Sequence, residues 1–407
     1  MRKEMNVLYI ATSFPSPKKG STIYTDLAEA LVKNGHKLTV VVSEERKNTK
    51  ETYWSKERGC DVLRVRTGNL YDVSFIEKGI TVLSLEYILK LAIKKYLSNK
   101  KFDLILYESP PVTNCGIVKY AKKKFNAKTY LMLKDIFPQN AVDIGIMKKN
   151  SFAYKMFKKK EENLYNISDV IGCMSEGNKR YVLEHNSSIN PEKVIIFPNT
   201  KKINSLNKIE NNMDLRKKYN IPLDSIVFIF GGNMGKPQGT ELLCNAINKL
   251  KDNKDIFFLL VGRGTERENI KKFIENNKCT NVLQMDNLPR NEYEKMVKQC
   301  DVGLVLLDHR FTIPNYPSRI LAYMEYAMPV IAATDRNTDF KELIEESDCG
   351  LWCCSDNIEE FCNNIITISK SKEFRKNKGD NGREYLEKNF SVSVSINLIE
   401  EYANNFL

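Results

Sequence analysis

The 407-residue chain contains no run of 18 or more apolar residues, so nothing in it reads as a membrane-spanning helix. Its ten cysteines include no CxxC pair. They lie scattered in apolar runs such as DVIGCM and LLCNAI, and reduced structural cysteine is the expectation. Histidine is scarce, with only His36, His185 and His309, so a mechanism built on histidine has little to draw on. Neither GxxxxGK[ST] nor GxGxxG is present, which removes the Walker A and dinucleotide fingerprints. No acidic pair of the DxD type stands in a suitable loop. The N-terminus enters MNVLYIATSFP without an apolar segment and cleavage site, so a cytoplasmic setting is expected. Acid is also short in one half. Residues 1–200 hold 34 Lys and Arg against 21 Asp and Glu, whereas residues 201–407 hold 29 against 30. The whole basic excess therefore sits in the first half, which suggests an anionic partner there: a membrane surface, a phosphorylated lipid or a nucleic acid.

A chain of this length exceeds one ordinary core, and two domains are expected. In the first half, apolar strand patterns at NVLYIA, HKLTVVVS, FDLILY, KTYLML, DVIGCM and KVIIFP alternate with helical patterns, for example at Tyr24–Gly35, Asn114–Phe125 and Glu176–Glu184. The second half repeats the rhythm at SIVFIF, IFFLLVG, NVLQM, DVGLVLL, PVIAA and GLWCC. Continuous apolar strands between helices predict an α/β fold with parallel sheets covered on both faces. The boundaries expected are 1–200 for a first domain, 216–388 for a second, and a helix in 389–407 packing back on the first. The Asn- and Lys-rich stretch Asn199–Leu215 reads as the linker.

In doubly wound sheets, ligands bind at the carboxyl ends of strands. FGGNMGKPQGTELL stands there, between the IVFIF strand and a helix. Its glycines let backbone approach an anion, and Lys236 adds a charge. A plain chain-turning role stays open. The first strand is followed by ATSFPSPKKGSTIYTDLAEAL, where Gly20, Ser21 and Thr22 precede a helix and can present its N-terminus to an anionic or sugar group; a long surface loop is the alternative. In RFTIPNYPSRILAYMEYAMPV, Ser318 is a sensible N-cap, and Arg319 in the first turn is unfavourable for the helix dipole unless an anion binds nearby.

In order and spacing, NVLYIATSFPSPKKGSTIYTDLAEALVKNGHKLTVVV, SPPV, LKDIFPQNAV, GGNMGKPQGTELL, LLVGRGTERENI, PSRILAYMEYAMPVIAA and ELIEESDCGLW resemble family 4 glycosyltransferases of the GT-B fold. Among these, the closest pattern is that of bacterial enzymes building O-antigen and capsule. The resemblance implies two facing Rossmann-like domains with an interdomain cleft, the second domain holding a nucleotide-diphosphate sugar, UDP-linked by expectation, and the first an acceptor. It implies Lys236, Arg319 and Asp135 as catalytic. It assigns donor binding to Gly232, Asn233, Gly235, Gln238, Gly239, Arg263, Asp286, Asn287, Leu288, Pro317, Ser318 and Ile320. Gly20, Ser21, Glu108 and Ser109 fall on the acceptor or sugar side. It also implies hexosyl or N-acetylhexosaminyl transfer with retained anomeric configuration, no metal, no cofactor, and a polyprenyl-diphosphate-linked or saccharide acceptor. Asp135 either orients the acceptor hydroxyl or acts as base, unless the leaving diphosphate takes the proton; a turn role is the plain alternative.

Departures from the family pattern are local. Pro314 and Ala322 occupy the positions of two usual glutamates. Glu325, three residues on, reads as a surface residue that could in principle compensate. Gln238 replaces a common lysine, Gln139 an acidic residue, and Ala327 a glycine. Lysine clusters at Lys90–Lys101, Lys119–Lys128 and Tyr154–Tyr165 mix with aromatic residues, as in basic faces that lie on an anionic bilayer. Peripheral attachment to the inner face of the cell membrane is thus one expectation, and a solvated Lys-rich face the other. Two further readings are a nucleotide-sugar 2-epimerase, disfavoured by the histidine shortage, and a non-catalytic partner subunit. Nucleic-acid binding is not expected, for want of any binding motif.

Overall fold

The computed structural model describes residues 3–70, 73–205 and 215–406. The chain divides into one unit of Met1–Lys202 with Val392–Leu407 and a second of Ile203–Ser391.

In the first unit, eight strands form one sheet. They are β1 (Asn6–Ala11), β2 (Lys37–Glu45), β3 (Tyr53–Glu57), β4 (Cys60–Thr67), β5 (Leu104–Ser109), β6 (Lys128–Leu133), β7 (Val170–Cys173) and β8 (Val194–Ile196). Their order is β3-β4-β2-β1-β5-β6-β7-β8, parallel except where β3 pairs with β4. The central strands carry Val, Ile and Leu on both faces because helices cover both. Those helices are α1 (Ile23–Lys33), α2 (Phe75–Tyr96), α3 (Cys115–Phe125), α4 (Gln139–Asp143), α5 (Phe152–Ile167) and α6 (Glu176–His185). α1 starts where Thr22 and Thr25 cap each other, the Thr22 amide donating to Thr25 Oγ1 at 2.7 Å and the Thr25 amide to Thr22 Oγ1 at 3.3 Å. It buries Leu27, Ala28 and Leu31.

The second unit holds α7 (Leu215–Lys218), β9 (Ile226–Asn233), α8 (Thr240–Lys249), β10 (Ile256–Arg263), α9 (Arg267–Asn276), β11 (Val282–Met285), α10 (Arg290–Lys298), β12 (Val302–Leu306), α11 (Ile320–Glu325), β13 (Val330–Thr334), α12 (Phe340–Ser347), β14 (Gly350–Cys354), α13 (Ile358–Lys370) and α14 (Lys372–Asn389). Its sheet runs β11-β10-β9-β12-β13-β14, all parallel. That is the Rossmann order, with the strand sequence reversing at β9.

The last helix, α15 (Val392–Asn404), belongs to the first unit. Ile396, Ile399 and Ala403 share one face of it and join the core of Val7, Tyr9, Leu27 and Leu31. Tyr402 meets Tyr130 with ring centroids 5.7 Å apart. His36 is buried; its Nδ1 accepts from the Met5 amide at 3.3 Å and its Nε2 lies 3.2 Å from Glu400 Oε1. The Asn199–Leu215 stretch read as a linker begins inside this unit. Asn199 and Thr200 are buried, and Thr200 Oγ1 hydrogen-bonds Ser395 Oγ at 2.7 Å. Residues 206–214 of that stretch lie outside the described residues.

Two features of the sheets depart from the sequence reading. The sheet is not wholly parallel, because the β3–β4 hairpin adds an antiparallel edge. Arg58 (φ +55) and Gly59 (φ +79) make its turn, a pair lacking the usual Asn-Gly signal. And β9 runs through Gly231 to Asn233, paired with Val261–Arg263, so the glycine stretch read as a loop is strand for its first three residues. All ten cysteines are free, and nine are buried. Among the described residues no helix is long and apolar enough to cross a membrane.

Candidate active site

The strand reversal places the ends of β9 and β12 side by side in the second unit. The backbone after β9 is packed directly onto the end of β10. A Cβ on Gly262 (φ +154) would fall 1.8 Å from Gly232 O, and one on Gly264 (φ +159) 2.3 Å from Met234 O. Only glycine permits this approach. The Met234 amide donates to Arg263 O at 2.8 Å and the Glu266 amide to Met234 O at 2.9 Å. Lys236–Gln238 then form a short 3-10 turn, and Gly239 (φ +55) leads into α8. The Asp308 amide donates to Pro237 O at 3.0 Å, which fastens the segment after β9 to that after β12.

Arg319 stands at the middle of this corner. Its guanidinium carbon lies 4.5 Å from the centroid of the Phe230 ring, and its Nη2 donates to Gln238 Oε1. A Cβ on Gly232 would be 3.9 Å from Nη2, so the glycine leaves the guanidinium open on that side. Nη1 is buried and has no hydrogen-bond partner among the described residues. Burial pushes the guanidinium below its ordinary value. A buried cation with an unmet donor is costly unless an anion completes it. Tyr323 braces the strand beneath, its Oη donating to Ile229 O at 3.2 Å and accepting from the Gly231 amide at 3.4 Å.

The other donor-side residues fall around this corner. Lys236 is exposed and makes no ion pair among the described residues. Asn233 is exposed, while Gly235 and Gly239 are buried. Arg263 Nε lies 3.7 Å from Asp286 Oδ1, which brings the loop after β11, with exposed Asn287 and half-buried Leu288, to the end of β10. Pro317 is half-buried and Ile320 buried in the core. Ser318 is exposed and does not cap α11: the helix starts at Ile320 with Arg319 in the cap position and no side-chain cap bond. The helical turn tightens there, so the Ser318 carbonyl accepts the Leu321 amide at 3.1 Å and the expected hydroxyl cap is not made. Glu325 is not a surface residue. It is buried, and its Oε1 accepts from Asn204 N at 3.0 Å and Nδ2 at 3.1 Å. Ala322 leaves no polar group one turn before it.

In the first unit the strand order reverses at β1, and a cavity of about 990 Å³ opens there. Thr12–Ser16, Glu44, Tyr53, Arg64, Pro110 and Thr113 help line it. Gly20 (φ +99) accepts from Arg58 Nη2 through its carbonyl, and Ser21 is half-buried beside it. Glu108 and Ser109 are buried at the end of β5, less accessible than the acceptor assignment implies. Glu108 Oε1 accepts from the Thr12 amide at 2.5 Å, and its carboxyl lies against the buried Tyr9 hydroxyl. Burial raises the Glu108 carboxyl. Asp135 Oδ1 accepts from the Ile136 amide at 2.8 Å and Oδ2 from Asn140 Nδ2. Burial pushes its carboxyl up to about 6 against those two bonds. The adjacent Lys134, which the sequence reading passes over, sits 5.1 Å over the Phe197 ring, and burial brings its ammonium down to about 7. Its position just past a strand end was the available signal.

Residues 211–385 match the family model described as Glycosyl transferases group 1. The chain is 23% identical over 317 residues to Probable glycosyltransferase WbjE of Pseudomonas aeruginosa, covering 73% of each. It is a glycosyltransferase of the GT-B type. The fold agrees. Sucrose-phosphate synthase of Thermosynechococcus elongatus superposes with TM-score 0.76 at 17% identity, over 98% of this chain and 99% of that one. Anabaena HepE in complex with UDP-glucose superposes with TM-score 0.72 at 15% identity, over 99% and 100%. The matched family region of this glycosyltransferase contains the whole Arg319 corner.

Proposed function

We propose that this glycosyltransferase moves a sugar, with retained configuration, from a UDP-linked donor to a lipid-linked or saccharide acceptor in surface polysaccharide biosynthesis. The observation that carries the donor half is Arg319, stacked on Phe230, with its Nη2 tied to Gln238 beside Gly232 and its Nη1 buried without a partner among the described residues. A diphosphate suits that arrangement, because it can satisfy Nη1 and the amides after β9 together. The UDP-glucose bound by HepE supports the choice of base, and the resemblance to O-antigen and capsule enzymes supports the role.

In the reaction, the bond from the anomeric carbon to the diphosphate oxygen breaks as the acceptor hydroxyl forms its bond to that carbon. Negative charge grows on the diphosphate, where Arg319 and Lys236 meet it. The hydroxyl proton passes to the leaving diphosphate or to Asp135. Anionic lipid beside the basic first half would present a lipid-linked acceptor.

Arg319→Ala tests the reading. kcat/KM should fall by a factor of about 10²–10³, UDP affinity measured by calorimetry should drop with it, and the melting temperature should hold. Wild-type turnover, or no UDP binding by the unaltered protein, overturns the donor assignment.

A further inference from the structure

α2 is apolar on two opposite sides. At 100° per residue, Val82, Leu85 and Leu89 share one side and line the cavity at the end of β1. Ile80, Tyr87 and Leu91 share the other, and they are 64%, 65% and 46% exposed. An apolar helix side is ordinarily covered; this second one is open along a stripe three turns long. The stripe ends in Lys94 and Lys95, both exposed, with exposed Lys90 at its edge. α3 packs alongside, Gly116 so close that a Cβ there would fall 1.7 Å from Glu86 Oε1, and Lys90 Nζ sits 5.3 Å over the Tyr120 ring. α3 adds exposed Lys119, Lys123 and Lys124. The two acids of α2 are already engaged, Glu77 with Arg46 at 2.8 Å and Glu86 with Lys160 at 3.2 Å. Apolar side chains flanked by lysines that make no ion pair among the described residues complement one surface chemistry, an anionic bilayer.

We infer that α2 seats the first unit on an anionic membrane, with Ile80, Tyr87 and Leu91 entering the acyl boundary and the lysines lying among the phosphates. The cavity lies one helix thickness behind that stripe. Given the proposed function, with the first unit on the acceptor side, this selects a lipid-carried acceptor over a free saccharide.

The full chain is sedimented with vesicles of phosphatidylglycerol and phosphatidylethanolamine, and with neutral phosphatidylcholine vesicles. Wild type should bind the anionic vesicles at least tenfold more tightly, and the triple variant Ile80→Glu, Tyr87→Glu, Leu91→Glu should lose at least tenfold of that. Tyr87→Trp, which keeps the stripe apolar, should bind like wild type with a blue-shifted emission on vesicles. Equal pelleting of wild type and triple variant overturns the inference. So does a stripe that instead holds two copies together, seen as a dimer that the triple variant dissociates. UDP calorimetry on both proteins keeps the donor reading separate, since it should not change. With native membranes and a labelled nucleotide sugar, label should enter the solvent-extractable lipid fraction with wild type and fall at least tenfold with the triple variant. Equal labelling of a water-soluble saccharide by both overturns the lipid-carried acceptor.

Discussion

Asp135 shows how one residue's setting decides its chemistry. Held by the Ile136 amide and Asn140 but half-buried, its carboxyl is pushed up to about 6 by desolvation from the ordinary value of about 3.9. The folded value lies above the unfolded one. The group therefore favours the fold most below about pH 4, and that contribution is lost as pH rises through 6. Activity that uses the carboxylate runs the other way. kcat/KM should climb with pH up to about 6 and then level, and Asp135→Asn should remove that limb while slowing turnover by a factor of about 10²–10⁴. A pH–rate profile of both proteins checks this; an unchanged limb in the variant removes Asp135 from the chemistry. The motif position of Asp135 is legible in LKDIFPQN. Its titration, and the neighbouring Lys134 over Phe197, are not, because both depend on burial by distant chain.

Among elements, the clearest local conflict lies at the end of α11. Ala327 has φ +50, the left-handed region that a side chain disfavours, in the turn before β13. Ala327→Gly should stabilise the second unit by about 0.5–1 kcal/mol, after the loss of unfolded-state restriction is set against the relieved strain. That is a rise of about 1–4 °C in its melting midpoint by calorimetry. A lower midpoint would show that the turn is not strained by its side chain. The central strands of both sheets were legible because parallel strands buried on both faces are continuous apolar runs. The β3–β4 hairpin was not. CDVLRVRT interleaves charge with apolar residues, and Arg64 is buried there only because Glu44 and Glu57 meet it at 2.9 and 2.8 Å. The burial of Glu325 was equally hidden, since its partner Asn204 lies 121 residues away.

On the scale of the whole molecule, the first unit is built from two stretches of chain with the second unit between them. Removing Val392–Leu407 strips Ile396, Ile399 and Ala403 from its core. Each buried isoleucine contributes about 1.5–3 kcal/mol, so the truncated chain should lose more than about 3 kcal/mol in that unit and melt about 10 °C lower there. Retained UDP binding by the truncated protein would place the damage in the first unit alone. An unchanged thermogram would show that α15 is dispensable. The helical pattern of the terminal segment was legible in SVSVSINLIEEYANNF, but the buried His36–Glu400 contact that locks it needed the fold.

This interleaving has a consequence for synthesis. A ribosome delivers the second unit entire before it delivers the segment that closes the first. The earliest two hundred residues thus wait with an open groove over Val7 and Leu31, a window in which chaperone capture or misassembly competes with completion.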